Sequence, residues 1–65
     1  MSRLTLKADA TFELNVKTGE TVKQDQPIGT NPATQETLYS PTDGTIENIT
    51  FDPDEHVFNI TLKNL

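Results

Sequence analysis

Apolar residues in this chain recur at every second position, and no window of about a dozen residues carries the i, i+3, i+4, i+7 stripe of an amphipathic helix. Leu4 and Leu6 alternate with polar neighbours. Phe12, Leu14 and Val16 do the same around Glu13 and Asn15, and Phe58, Ile60 and Leu62 repeat the pattern near the end of the chain. This period places one set of side chains on a buried face and the other in water, which is the signature of half-buried strands. The expected class is all-β: a small sandwich or half-barrel of about six to eight short strands with no long helix.

Turn residues divide the strands. Lys17–Glu20 reads as a four-residue turn in which Gly19 takes positive φ. Pro27 cannot donate to a ladder, so Pro27–Gly29 is expected at an edge or at a strand start. Asn31–Pro32 initiates the polar midpoint loop, Ser40–Gly44 forms a further turn, and Asp52–Glu55 another, with Asp52 capping it through its own carboxylate. Ile46 and Ile49 are three apart whereas Ile49 and Phe51 are two apart, so a strand from Gly44 to Phe51 requires a bulge or a change of buried face. The expected core is Phe12, Leu14, Val16, Val22, Ile28, Leu38, Ile46, Ile49, Phe51, Phe58, Ile60 and Leu62. Tyr39, Val57 and Leu65 are expected outside it, where a contiguous patch would mark an interface.

A chain of 65 residues supports a single domain, 1–65, of modest stability. Without cysteine it has neither disulfides nor thiolate chemistry and must rely on packing, backbone pairing or a partner. Ten acidic residues against five basic give a net charge of −5, which repels phosphate backbones and anionic lipid surfaces. Neither nucleic acid nor a membrane is therefore expected as a partner. The start has no apolar signal region and no stretch approaches a bilayer span, so the expected location is cytoplasmic.

Sliding the chain on itself by 35 positions aligns Leu14, Val16, Glu20 and Val22 with Ile49, Phe51, Glu55 and Val57. Each half, about 12–30 and 44–62, then reads strand, acidic turn, valine. Two such hairpins cannot bury their apolar faces alone and are expected to pack together as a pseudo-two-fold sandwich.

The same residues carry a family resemblance. Val16, Gly19, Glu20, Val22, Gln26 and Ile28 stand at the spacing of the first-half motif of biotinyl/lipoyl-like (barrel-sandwich hybrid) domains, and Ser40, Pro41, Gly44, Ile46 and Ile49 match the second-half motif, in the right order. The resemblance covers about residues 12–57. It departs at Asp25 and Asp54, which stand where the family usually has glycine. The family's activity depends on a lysine at the tip of the hairpin joining the halves, where biotin or lipoate is mounted. Here that hairpin corresponds to residues 31–37 and contains no lysine, and Lys7, Lys17, Lys23 and Lys63 lie elsewhere. The resemblance thus implies the fold without the cofactor. Similar unmodified modules serve as docking or spacer units inside larger proteins.

Few residues offer chemistry. Asp52, Asp54, Glu55 and His56 are the densest set of metal-ligating side chains, but the spacing and glycine of a calcium-binding EF-hand loop are missing. His56 is the one histidine, so a nucleophile and base could be assembled only from Ser40 or Ser2 with His56. Glycines 19, 29 and 44 are dispersed and match turns, not a phosphate cradle. Asn48-Ile49-Thr50 and Asn59-Ile60-Thr61 fit the N-glycosylation pattern and read as ordinary strand residues.

No catalytic residue and no bound cofactor or metal is expected. The expected function is a non-catalytic protein-interaction or scaffold module whose partner is another protein. One alternative is a degenerate carrier-type accessory domain that docks to a carboxylase or dehydrogenase complex. A further one is a small-ligand or calcium-binding domain using the loop from Asp52 to His56.

Overall fold

The structure, a computed structural model, describes residues 2–64, so Leu65 and its expected exposure lie outside the described residues. Six strands run in the order β1 (Arg3–Asp9), β2 (Thr21–Val22), β3 (Pro27–Thr30), β4 (Thr37–Tyr39), β5 (Gly44–Asp52) and β6 (Val57–Asn64). There is no helix among the described residues, and hence none long and apolar enough to cross a membrane. The chain is all-β.

The strands form a curled half-barrel sheet of order β1-β6-β5-β2 and a separate hairpin of β3 with β4, all neighbours antiparallel. Register explains what faces inward. Leu4, Leu6 and Ala8 on β1 lie opposite Leu62, Ile60 and Phe58 on β6, and those in turn lie opposite Ile46, Ile49 and Phe51 on β5. All nine therefore share the inner face, because alternate residues of paired strands point the same way. Against them pack Val16, Val22 and Ile28 from the rest of the chain, closing a core with Ala8, Ile46, Ile60 and Leu62.

The uneven spacing of Ile46, Ile49 and Phe51 resolves as a bulge. Ile46 pairs with Leu62 and Asn48 with Thr61, leaving Glu47 as the extra residue. The bulge keeps Ile46 and Ile49 on one face despite their three-residue separation. Its side chain is gripped by Arg3, whose Nε donates to Oε1 at 2.6 Å and whose second terminal nitrogen donates to Oε2 at 3.2 Å. The outer face carries Thr5, Thr61 and Asn48 in one row and Lys7, Asn59 and Thr50 in the next. Both glycosylation-type triplets thus lie side by side in the β5–β6 ladder.

Several expectations are corrected. The stretch from Phe12 to Val16 is not a strand: it runs beneath the sheet as irregular chain, with the Asn15 amide donating to the Ile28 carbonyl at 2.8 Å. Of the halves 12–30 and 44–62, the second is built on the β5–β6 hairpin, whereas the first contains β2 and the opening strand of the β3–β4 hairpin. Their turns differ as well. Gly19 takes φ +92° as expected, but at the second turn the left-handed residue is His56 at +56°, not Asp54. Asp25, standing where the resembled family has glycine, adopts φ +68°.

Two core assignments also fail. Phe12 and Phe51 are 45% and 52% exposed: Phe51 lies on the inner face but beyond the end of the packed core, and Phe12 lies in the irregular chain that follows β1. Conversely, Val57 is buried, and with Lys7, Pro32, Ala33 and Glu55 it lines a shallow pocket on the opposite face. Ala8 joins the core because Gly29 lets β3 approach to 3.3 Å of its Cβ, measured from where a Cβ on Gly29 would sit. Pro27 opens β3 as its missing donor requires, and Tyr39 is exposed.

Candidate interaction surface

The residues with chemical potential are separated by the length of β5. Ser40 precedes the strand and is buried, its hydroxyl donating to the Thr42 carbonyl at 2.6 Å. His56 lies in the turn after the strand. Nine extended residues span roughly 30 Å, so Ser40 and His56 cannot act on one substrate. Ser2 has an exposed side chain, and its carbonyl accepts from the Asn64 amide at 2.9 Å, at the end of β6 farthest from His56.

Two of the three carboxylates of the β5–β6 turn, those of Asp52 and Glu55, are already engaged. Asp52 Oδ1 accepts from the Asp54 amide at 2.9 Å and the Glu55 amide at 3.4 Å, which is the capping role its position before proline implies. Glu55 accepts from Lys7 Nζ at 2.7 Å across the sheet. That contact raises the Lys7 pKa above the ordinary lysine value, first through the hydrogen bond and then through the charge. His56 sets its ring edge-on to Phe51 at 5.7 Å between centroids. Among the described residues no group of three or more His, Asp or Glu side chains converges to hold a metal ion.

The hairpin tip between β3 and β4 is built by Asn31. Its amide donates to the Glu36 carbonyl and its carbonyl accepts from Gln35, both at 2.7 Å, while its side chain accepts from the Ala33 amide at 2.8 Å. Gln35 takes φ +62° to complete the reversal. Residues 32–37 are exposed, and none of residues 31–37 is lysine.

What remains open is an aromatic surface at the β5–β6 turn. Phe51 and Phe58 are cross-strand partners with ring centroids 5.8 Å apart and planes tilted by 57°. Beside Phe58, the chain leaving β1 folds back through Asp9, whose carboxylate accepts from the Thr11 amide at 2.9 Å. That bond holds the Asp9 pKa below its ordinary value. The Ala10 amide donates to the His56 carbonyl at 3.0 Å, tying this segment to the turn. The result is an open cleft of about 410 Å³ lined by Ala10, Thr11, Phe12, Glu13, Leu14 and Phe58. All three phenylalanines of the chain thus gather at one end, with Phe12 and Phe51 the most exposed.

The same end is acidic. Asp9, Glu13, Asp52, Asp54 and Glu55 lie on the strand ends, turn and cleft around these rings, with Lys7 as the cation among them. An apolar surface here stands within a charged rim, the layout common at interaction surfaces. Sequence reasoning placed Phe12 and Phe51 in the core. Their signal was position: each is directly followed by an acidic residue, and Phe51 abuts a turn, where a strand has run past its core.

No family model, curated protein or solved structure matches the chain.

Proposed function

We propose that this chain is a non-catalytic protein-interaction or scaffold module of biotinyl/lipoyl-like fold without attached cofactor, working in the cytoplasm with another protein. The observation that carries this reading is the exposure of Phe12 and Phe51 beside Phe58 in a chain of low apolar content. Burying two half-exposed phenylalanines against a partner recovers roughly 1 to 3 kcal/mol apiece, which gives a small domain reason to keep them outside its own core. The barrel-sandwich reading is supported by the order of the two motifs, and the absence of an attached cofactor by the lysine-free tip at residues 31–37.

A second reading, a degenerate carrier-type accessory domain docking to a carboxylase or dehydrogenase complex, draws on that tip. Asn31 shapes it into an ordered, exposed reversal at the position where the resemblance sets the modified lysine.

The test is affinity capture from lysate of the source organism, with bound proteins identified by mass and an Ile60→Ala variant as the unfolded control. A partner retained by the intact domain and lost by the control supports a module. A carboxylase or dehydrogenase subunit among the bound proteins favours the second reading. An intact mass increased by biotin or lipoate, after expression with the corresponding ligases, rules out a cofactor-free module.

A further inference from the structure

We propose that the unpaired edge of β5, Glu47–Asp52, receives an extended segment of another protein in which basic residues alternate with apolar ones. This rests on the interaction-module reading above and assigns its surface.

β5 is the longest strand, and its two edges are treated unequally. Against β6 it is paired from Gly44 to Asp52. On the other side β2 covers Gly44 and Thr45, and the bonds between Ile46 and both Glu20 and Gly19 extend that cover by one residue. From Glu47 to Asp52 the backbone groups facing away from β6 have no partner among the described residues. A run of this kind is a template for one more strand. Natural sheets blunt such edges with lysine and other charged side chains, proline or a bulge; here the Glu47 bulge and Asp52 stand at the two ends of the run, and Asn48–Phe51 between them carries none of these. The opposite edge of the sheet, β1, carries Arg3 and Lys7.

Side-chain alternation on β5 states what the added strand must present. Ile49 and Phe51 point to the inner face, so a neighbouring strand would set alternate apolar side chains beside them. Asn48 and Thr50 point outward, where the intervening side chains would stand. Charge then selects among occupants. Arg3 with Glu47 and Lys7 with Glu55 are the ion pairs among the described residues. Asp52 and Asp54 at the end of the open edge, and Glu13 in the adjoining cleft, have no cationic partner among those residues. A second copy of the chain would bring a net charge of −5 to this edge, and the basic residues of its own free edge, Arg3 and Lys7, are already paired with Glu47 and Glu55, whereas a basic segment of another protein neutralises it.

The test uses the full chain labelled with ¹⁵N and two end-capped octapeptides, one alternating lysine with valine and one alternating glutamate with valine. The lysine peptide is expected to shift the amides of Glu47–Asp52, to slow their hydrogen exchange, and to bind at least tenfold more tightly than the glutamate peptide, that is, by about 1.4 kcal/mol. Asp54→Lys alters an exposed turn side chain that makes no hydrogen bond of its own, and is expected to weaken the lysine peptide about threefold or more. Equal affinity for the two peptides, an unchanged edge at millimolar peptide, or shifts confined to the tip at 31–36 would each overturn the proposal. Concentration-dependent shifts of the edge without peptide would identify a second copy as the occupant and also overturn it. Any of these results leaves the module reading standing if lysate capture recovers a partner, and an empty capture fails that reading separately.

Discussion

Phe51 and Phe58 face one another across the β5–β6 ladder, yet Phe58 packs against the core while Phe51 stands half in solvent. The pair marks where the core stops. Residues nearer the middle of the same face, Ile60 with Ile49 and Leu62 with Ile46, are covered by Val16, Val22 and Ile28; the turn end has no such cover.

It follows that Phe51→Ala should be mild. With half of its side chain in water, the loss is that of a cross-strand aromatic pair, about 1 kcal/mol, and the variant should remain folded by near-native amide dispersion. A fully buried phenylalanine would cost about 3 to 5 kcal/mol. A chemical denaturation midpoint separates the two.

Ile60→Ala should behave oppositely. Its side chain has no exposed surface and sits in the central strand of the core, so the cavity costs about 2 to 5 kcal/mol. A domain of this size has little stability to spare, and circular dichroism at 25 °C should show the variant largely unfolded.

The glycines should fail for different reasons. At Gly44 an added Cβ would strike the Lys63 carbonyl oxygen and come within 2.9 Å of Leu62 Cδ1, so Gly44→Ala should destabilise by about 1 to 3 kcal/mol through crowding. At Gly19 nothing lies within 4 Å, but φ is +92°. Gly19→Ala should therefore cost about 1 to 2 kcal/mol in backbone strain, and Gly19→Asn less, because asparagine tolerates positive φ. Equal losses for alanine and asparagine at position 19 would point to crowding there instead.

Acid should unfold the domain in part through two carboxylates. Hydrogen bonds from Thr11 to Asp9 and from Arg3 to Glu47 hold both pKa values below their ordinary ones. The folded chain then releases protons that the unfolded chain retains, so each group stabilises the fold above its ordinary value, 3.8 for Asp9 and 4.5 for Glu47, and that contribution is lost as pH falls through the lower folded value. The melting temperature should be flat in the respect of these groups near pH 6 and fall below about pH 4. An Asp9→Asn, Glu47→Gln variant should show a shallower fall over the same range.

Much of the fold could be read from the residues. Period-two alternation identifies β1 and β6, and the three-then-two spacing of Ile46, Ile49 and Phe51 requires a bulge or a change of face in β5, of which the structure has the bulge, at Glu47. Gly19 and Pro27 fall where their backbone chemistry places them. Phe12–Val16 misled because alternation reports which way side chains point, not whether the backbone finds a ladder; this segment sends Val16 inward while crossing under the sheet. Val57 meets the distant Pro32–Ala33 loop around one pocket, a long-range proximity that no local pattern records. Of the surface, the acidic turn and the capping role of Asp52 were legible. The exposure of Phe12 and Phe51 was marked only by the acidic residue after each, because it depends on how far Val16, Val22 and Ile28 reach along the sheet.

The central claim, that the aromatic end of the sheet is where a protein partner binds, is tested most directly by repeating the capture with Phe51→Asp alongside the intact domain, after confirming that both give dispersed amide spectra. The account predicts that Phe51→Asp remains folded and loses the partner. Undiminished recovery of the partner by a folded Phe51→Asp domain would contradict it.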